Sequence, residues 1–297
     1  MRTVHHRLSP VPLALLLLAL PCTAFAPWGM EGVGIVSTRD TELRATVHPD
    51  GRSIVWSSPD RADGPGGGDR WIARRIDGRW QDAHPLALDT PSSESDPAFS
   101  ADGRWLYFVS DRAGGLGGND LYRASFADGE AGTPQHLGDA VNTHGDERSP
   151  MPSRDGRRLL FASDGRPGAQ RHDLYVARWQ ADALVEVRPL PGINTDADEI
   201  DAMWLADGDG LVFARSRDVA TTPVQLLVAR CRGGAYVETA PLALAFNSDG
   251  ARTLAPMPDW NRPVEMLLSG AAPSPKAGKL DVYRIVVPTV QGDGSCG

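Results

Sequence analysis

The sequence predicts an all-β fold, a single β-propeller of five four-stranded blades, and three observations carry that prediction. A turn recurs at a near-constant interval: Asp50-Gly51, Asp102-Gly103, Asp155-Gly156 and Asp207-Gly208, with Asp259-Trp260 in fifth place, at spacings of 52, 53, 52 and 52 residues. Before each turn stands a short segment such as Ala45–Pro49, Pro97–Ser100, Pro150–Ser153, Ala202–Leu205 or Leu254–Met257. After each turn comes an apolar, β-rich run: Ile54–Trp56, Leu106–Val109, Leu159–Ala162, Leu211–Ala214 and Met266–Leu268. Fixed-period self-similarity is the mark of a repeat architecture. Apolar runs of about four residues bounded by Gly, Ser and Asp read as buried strands, and Asp-Gly is the favoured chemistry of the tight hairpin between them.

The remaining elements of each unit follow in order. A Gly-rich loop leads to a third strand at Asp69–Ile72, Asp120–Tyr122, Asp173–Val176, Gln225–Val228 and Asp281–Ile285. A more polar fourth strand comes next in most copies, for example Val185–Leu190. No helical period competes outside the N-terminal segment, and short strands punctuated about every dozen residues indicate an all-β protein. Five such units make a propeller, which leaves only short sheet edges. A six-bladed ring is the alternative, but no residues remain for another unit. The fifth unit stops after its third strand, so Val33–Ser37 is expected to supply the missing fourth strand and close the ring. An unpaired edge there would be costly. The expected organisation is therefore a signal peptide over 1–26, an N-terminal closing segment over 27–41, the propeller over 42–287 and a tail over 288–297. The expected core includes Val55, Trp56, Phe99, Leu106, Phe108, Phe161, Tyr175, Trp204 and Phe213.

The stretch Asp96–Arg112, with its continuation Gly114–Tyr122, resembles the TolB-like (WD-related) propeller repeat. The resemblance covers nearly all of 42–285; it is strong in units two and three, fair in one and four, and weak in five, where Trp260 replaces the turn glycine. It implies a β-propeller fold and an envelope compartment. Members of that family include a periplasmic protein and the non-catalytic propeller of prolyl-oligopeptidase-type enzymes. A shared propeller does not imply a shared job.

The ends and the charge narrow the function. Arg2 and Arg7 precede an apolar run over 11–20, and Ala24-Phe25-Ala26 follows, the pattern of a secretory signal peptide cleaved near Ala26. The run is shorter than the ~20 residues a membrane span needs, and no later segment is long enough, so no membrane insertion is expected. Lipidation at Cys22 is the rival reading, and Pro21 before it fits that poorly. Removing 1–26 takes two arginines and no acids, moving the net charge from −8 to −10. Such an acidic chain argues against nucleic acid and anionic membranes as partners. Periplasmic or extracellular localisation, a monomer and a protein partner in the cell envelope are expected. Cys231 and Cys296 survive cleavage; an oxidising compartment allows a disulfide between them, and two free thiols are the alternative.

One acidic feature recurs in register. Glu42, Glu94, Glu147 and Glu199 each lie eight residues before the turn aspartate, with Ala251 in that place in unit five; Asp96 and Asp201 lie two residues further on. If first strands line the channel, these carboxylates gather at one mouth, where they would bind a hard cation such as Ca²⁺ or a basic partner. Alternatively, each accepts hydrogen bonds from its own or a neighbouring blade. Asp69, Asp120, Asp173 and Asp281 read as loop-closing. The loop over 114–120 is not a phosphate loop, because no Lys-Ser/Thr follows and a strand comes next. No Gly-x-Ser-x-Gly or His-Glu-x-x-His occurs, and none of His48, His84, His136, His144 or His172 pairs at metal-ligand spacing. No catalytic residue is assigned. The rival enzyme reading is a propeller glycoside hydrolase using Glu94, Glu147 and Glu199 as channel carboxylates.

Overall fold

In the computed structural model, which describes residues 28–296, five antiparallel four-stranded sheets stand in a ring. Blade 1 comprises Leu43–Val47, Ser53–Ser58, Asp69–Ile76 and Arg79–Pro85. Blade 2 comprises Glu94–Phe99, Trp105–Ser110 and Asp120–Ala127, with an outer strand broken into Glu130–Ala131 and Gln135–His136. Blade 3 comprises Glu147–Pro152, Arg158–Ser163, Asp173–Gln180 and Ala183–Pro189; blade 4 comprises Asp198–Leu205, Gly210–Ser216, Gln225–Arg232 and Ala235–Pro241. Blade 5 is Leu254–Pro258, Glu265–Gly270 and Asp281–Val286, completed by Trp28–Met30. The expected signal peptide lies outside the described residues. Among those described, no helix is long and apolar enough to cross a membrane.

In blades 1, 2 and 3 the hairpin between first and second strands turns on the expected glycine, whereas blade 4 turns through a short 3-10 segment, Ala206–Gly208, and blade 5 has no glycine at its turn. Gly51, Gly103 and Gly156 have φ of +72°, +73° and +69°, a region that a side chain resists and glycine enters freely. Second strands are wholly or almost wholly buried because both faces meet neighbouring blades; Val55, Trp56, Leu106, Phe108, Phe161 and Phe213 are all 0% exposed. Trp204 departs from the expected core: it is half-buried, and the Arg158 guanidinium lies 4.9 Å from its ring.

Two expectations are corrected. Ring closure is made by Trp28–Met30, in register Trp28↔Ile285 and Met30↔Tyr283, not by Val33–Ser37. Gly32 and Gly34 take positive φ and fold that apolar run into a tight bend, with Val36 N–H donating to the Gly32 carbonyl. Val36 then plugs the core while the Ser37 hydroxyl bonds the Val282 backbone. The second correction is the register of blade 5. Every first strand carries a bulge whose inner residue has positive φ: Arg44, Asp96, Ser149, Asp201 and Ala255. Ala255 therefore corresponds to Arg44, and Thr253, not Ala251, holds the place of the repeated glutamate. Asp259 matches His48 and Ser100 rather than the turn aspartate, and Asn261 takes the turn position.

The chain's end is strapped across the ring. Cys231 and Cys296 form a disulfide with Cα atoms 5.9 Å apart. The Asp293 carboxylate accepts from Gly233 N–H, Ser295 Oγ accepts from Gly234 N–H, and Arg158 of blade 3 donates to the Cys296 carbonyl.

Candidate functional site

The four repeated glutamates sit where the loop from the previous blade enters a first strand, and each is enclosed by its own blade. A threonine four residues earlier donates its N–H to one oxygen and its hydroxyl to the other. The pairs are Thr38–Glu42 at 3.1 and 2.5 Å, Thr90–Glu94 at 2.9 and 2.7 Å, Thr143–Glu147 at 2.7 and 2.7 Å, and Thr195–Glu199 at 2.9 and 2.6 Å. Ser110, Ser163 and Arg215 add a further donor to Glu94, Glu147 and Glu199. All four residues are 0–1% exposed. The sequence signal for this role is a longer motif: Asp89-Thr90, Asn142-Thr143 and Asn194-Thr195 precede their glutamates at one spacing. The Asp or Asn clamps the loop to a third strand, through Arg70, Leu121 and Leu174 N–H respectively.

These carboxylates are held singly, each by its own threonine. Among the described residues, groups of three or more donor atoms within 4.8 Å contain at most one of them. In the group Asp69, Asp89 and Glu94, cations are already supplied by the protein: Arg70 grips Asp89 at 2.5 Å and Arg112 reaches Glu94 at 3.1 Å.

Burial raises the pKa of Glu42, Glu147 and Asp173. It pushes Glu42 up to about 7, reinforced by the Asp281 carboxylate and opposed by the Thr38 bonds; it pushes Asp173 up to about 6, with Glu199 adding to it. A carboxyl raised in the fold above its unfolded value binds its proton more tightly when folded. The stability it contributes is full below the unfolded value and is lost as pH rises through the folded one. For Glu42 that window runs from about 4.5 to about 7, at a cost on the order of 2–3 kcal/mol. Glu42→Gln is expected to accept the Thr38 N–H through its amide oxygen while its NH2 donates to the Thr38 hydroxyl, and to flatten the fall in melting temperature between pH 5 and 8. An unchanged slope would show that other groups set it.

The channel belongs to the bulge residues. Arg44 and Asp201, 1% and 3% exposed, form an ion pair at 2.6 Å across it. Arg44 also donates to the Pro150 carbonyl at 2.8 Å; Asp201 accepts from the Ser149 hydroxyl at 2.7 Å and from Ala255 N–H at 3.2 Å. Asp96, half-buried, accepts from Ser149 N–H at 2.9 Å. The bulges aim these side chains inward, and the sequence singled out only two of the five because the position holds Arg, Asp, Ser, Asp and Ala. Both carboxylate oxygens of Asp201 are engaged, Oδ1 by Arg44 and Ser149 and Oδ2 by the Ala255 N–H.

At the Asp-Gly turn face lies a cavity of about 390 Å³ between blades 3, 4 and 5. Met151, Met203 and Leu205 floor it, Trp204 and Trp260 wall it, and Arg154, Arg158, Asp155 and Glu265 stand at its rim. Trp260 crosses the ring to donate its indole N–H to the Phe99 carbonyl at 2.8 Å. Half-exposed tryptophans and rim arginines over a floor of buried methionine and leucine are the composition of protein-interaction hot spots.

No family model and no curated protein sequence matches the chain. Similarity to solved structures is extensive in shape and low in identity. TolB from Acinetobacter baumannii aligns at a TM-score of 0.50 and 15% identity over 85% of this chain and 55% of that one, so this chain spans little more than half its length. The putative TolB from Agrobacterium tumefaciens gives 0.51 and 18% over 86% and 78%. The endo-arabinase from Bacteroides thetaiotaomicron VPI-5482 gives 0.55 and 14% over 91% and 99%. At such identities the likeness establishes the propeller fold, which hosts binding proteins and hydrolases alike.

Proposed function

We propose that this chain is a non-catalytic propeller of the cell envelope, periplasmic or secreted, that serves as a protein-interaction scaffold through its turn face. One observation carries the reading. The channel, where a propeller hydrolase would need open carboxylates, is closed by the Arg44–Asp201 ion pair and its Ser149 and Ala255 bonds. The TolB-like shape and the leader-like residues 1–26 support the compartment, and the Trp204 cavity supports the face.

The test pairs two assays. Purified protein exposed to solubilised cell envelopes should retain a partner, and Trp204→Ala should weaken that retention at least about tenfold, the cost of losing a hot-spot tryptophan. A blank with the native protein refutes the scaffold. Hydrolysis of arabinan or another polysaccharide that disappears in Asp201→Asn would make the chain an enzyme instead.

A further inference from the structure

The face opposite the turns carries a grouping that the repeat does not require. In blade 3, donor atoms of Asp146, Asp164 and His172 all lie within 4.8 Å of one another. Asp146 ends the loop that enters the first strand, while Asp164 and His172 open and close the loop between the second and third strands, 18 and 8 residues apart in sequence.

Comparison between blades separates what each residue owes to the fold. Asp60, Asp111 and Asp164 are equivalent, and each uses Oδ1 to accept the N–H that precedes its blade's glutamate, from Thr41, Ser93 and Asp146 at 2.8, 2.7 and 2.7 Å. That role needs one aspartate only. Blades 1 and 2 place Thr41 and Ser93 where blade 3 has Asp146, and Gly68 and Asn119 where it has His172. Blade 4 has Asp198 in the first of these places but Ser216 and Val224 in the other two. Only blade 3 holds three donors at once.

His172 is oriented as a ligand. Its Nδ1 lies 3.0 Å from Asp198 Oδ1 of blade 4, and its backbone N–H donates to the same oxygen at 3.1 Å. That hydrogen bond assigns the proton to Nδ1 and leaves a lone pair on Nε2. Nε2 is buried, has no hydrogen-bond partner, and stands 3.9 Å from Asp164 Oδ2. A buried polar atom without a partner costs free energy, and a carboxylate behind an imidazole is the usual second layer of a metal-bound histidine. Asn119, the equivalent of His172, makes the corresponding clamp to Asp146 Oδ1, from N–H at 2.8 Å and Nδ2 at 3.2 Å. The fold is therefore served by asparagine, and the imidazole adds only the inward-facing nitrogen.

We propose that Asp146, Asp164 and His172 bind one divalent transition cation of the zinc type. One imidazole nitrogen and two carboxylate oxygens suit zinc, whereas Ca²⁺ takes six to eight oxygens. Ligand bonds of about 2.0–2.2 Å draw the three atoms together by about 1 Å, a shift the partly exposed Asp164 side chain can make. The fourth position faces water or a partner's side chain. Bound there, the cation ties the entry loop of blade 3 to its second-to-third-strand loop and, through His172, to blade 4.

The experiment titrates Zn²⁺ into the untagged, chelator-treated chain by calorimetry and follows the melting temperature. One equivalent should bind and raise the melting temperature. His172→Asn, which restores the clamp Asn119 makes, should fold normally yet weaken binding at least tenfold; Asp164→Asn should weaken it likewise. Asp111→Asn, at the equivalent place in blade 2, should bind as native. Co²⁺ in place of Zn²⁺ should give visible absorption bands that His172→Asn removes. Failure of the native chain to bind, or a His172→Asn variant that binds as tightly, would overturn the site.

Discussion

Replacing Asp201 by alanine is expected to destabilise the protein by about 3–5 kcal/mol, the cost of leaving one member of a buried ion pair uncompensated. Arg44, 1% exposed, would retain only its bond to the Pro150 carbonyl, its Nε already lacking a partner. The Ser149 hydroxyl and the Ala255 N–H would lose their acceptor as well. Urea unfolding of Asp201→Ala, Arg44→Met and the double variant Arg44→Met/Asp201→Leu distinguishes charge from packing. Each single change should be costly, and the double change should recover most of the loss, since apolar residues of similar volume replace buried ion pairs at little net cost. Losses below about 1 kcal/mol in both single variants would mean that water enters the channel and solvates the pair. The same variants bear on function, because opening the channel would create the space a hydrolase requires.

Cys296→Ser is the second large effect. The disulfide closes a loop with a sequence separation of 65, for which the chain-entropy account gives about 4 kcal/mol. At about 2 °C per kcal/mol for a chain of this size, the melting temperature should fall by about 8 °C, and reduction of the native protein should produce the same fall. The strap's hydrogen bonds run through Asp293 and Ser295 to the backbone of blade 4, and through Arg158 to blade 3. Loss of the covalent tie therefore also loosens the contacts beside the Trp204 cavity. An unchanged melting temperature would show that these hydrogen bonds alone hold the tail.

Ring closure explains why such a strap matters. Among the described residues, the strand that joins the N-terminal segment to blade 5 is Trp28–Met30, three residues long. Parallel bridges, such as Val47 to Asp259 and Thr41 to Leu280, add single contacts between neighbouring blades. The tail crosses independently of both, from the last strand of blade 5 to blades 4 and 3.

What the sequence by itself determined is the repeat: five units, four strands in each, and hairpins on Asp-Gly. Those features depend on local chemistry, alternating burial and positive-φ glycine, which a linear pattern carries. In the fifth unit the pattern misled by two residues, because Asp259-Trp260 imitates the turn aspartate while the bulge at Ala255 marks the true register. Val33–Ser37 misled for a similar reason: its composition is that of a strand, but two glycines fold it into a bend. The tertiary structure alone decided what the repeated carboxylates do. Whether Glu147 faces a channel or a threonine depends on the entry angle of its loop. Whether Asp201 is a free acid or an arginine's partner depends on Arg44, 157 residues away. The triad in blade 3 arises the same way, from two loops that strand pairing within the blade brings side by side.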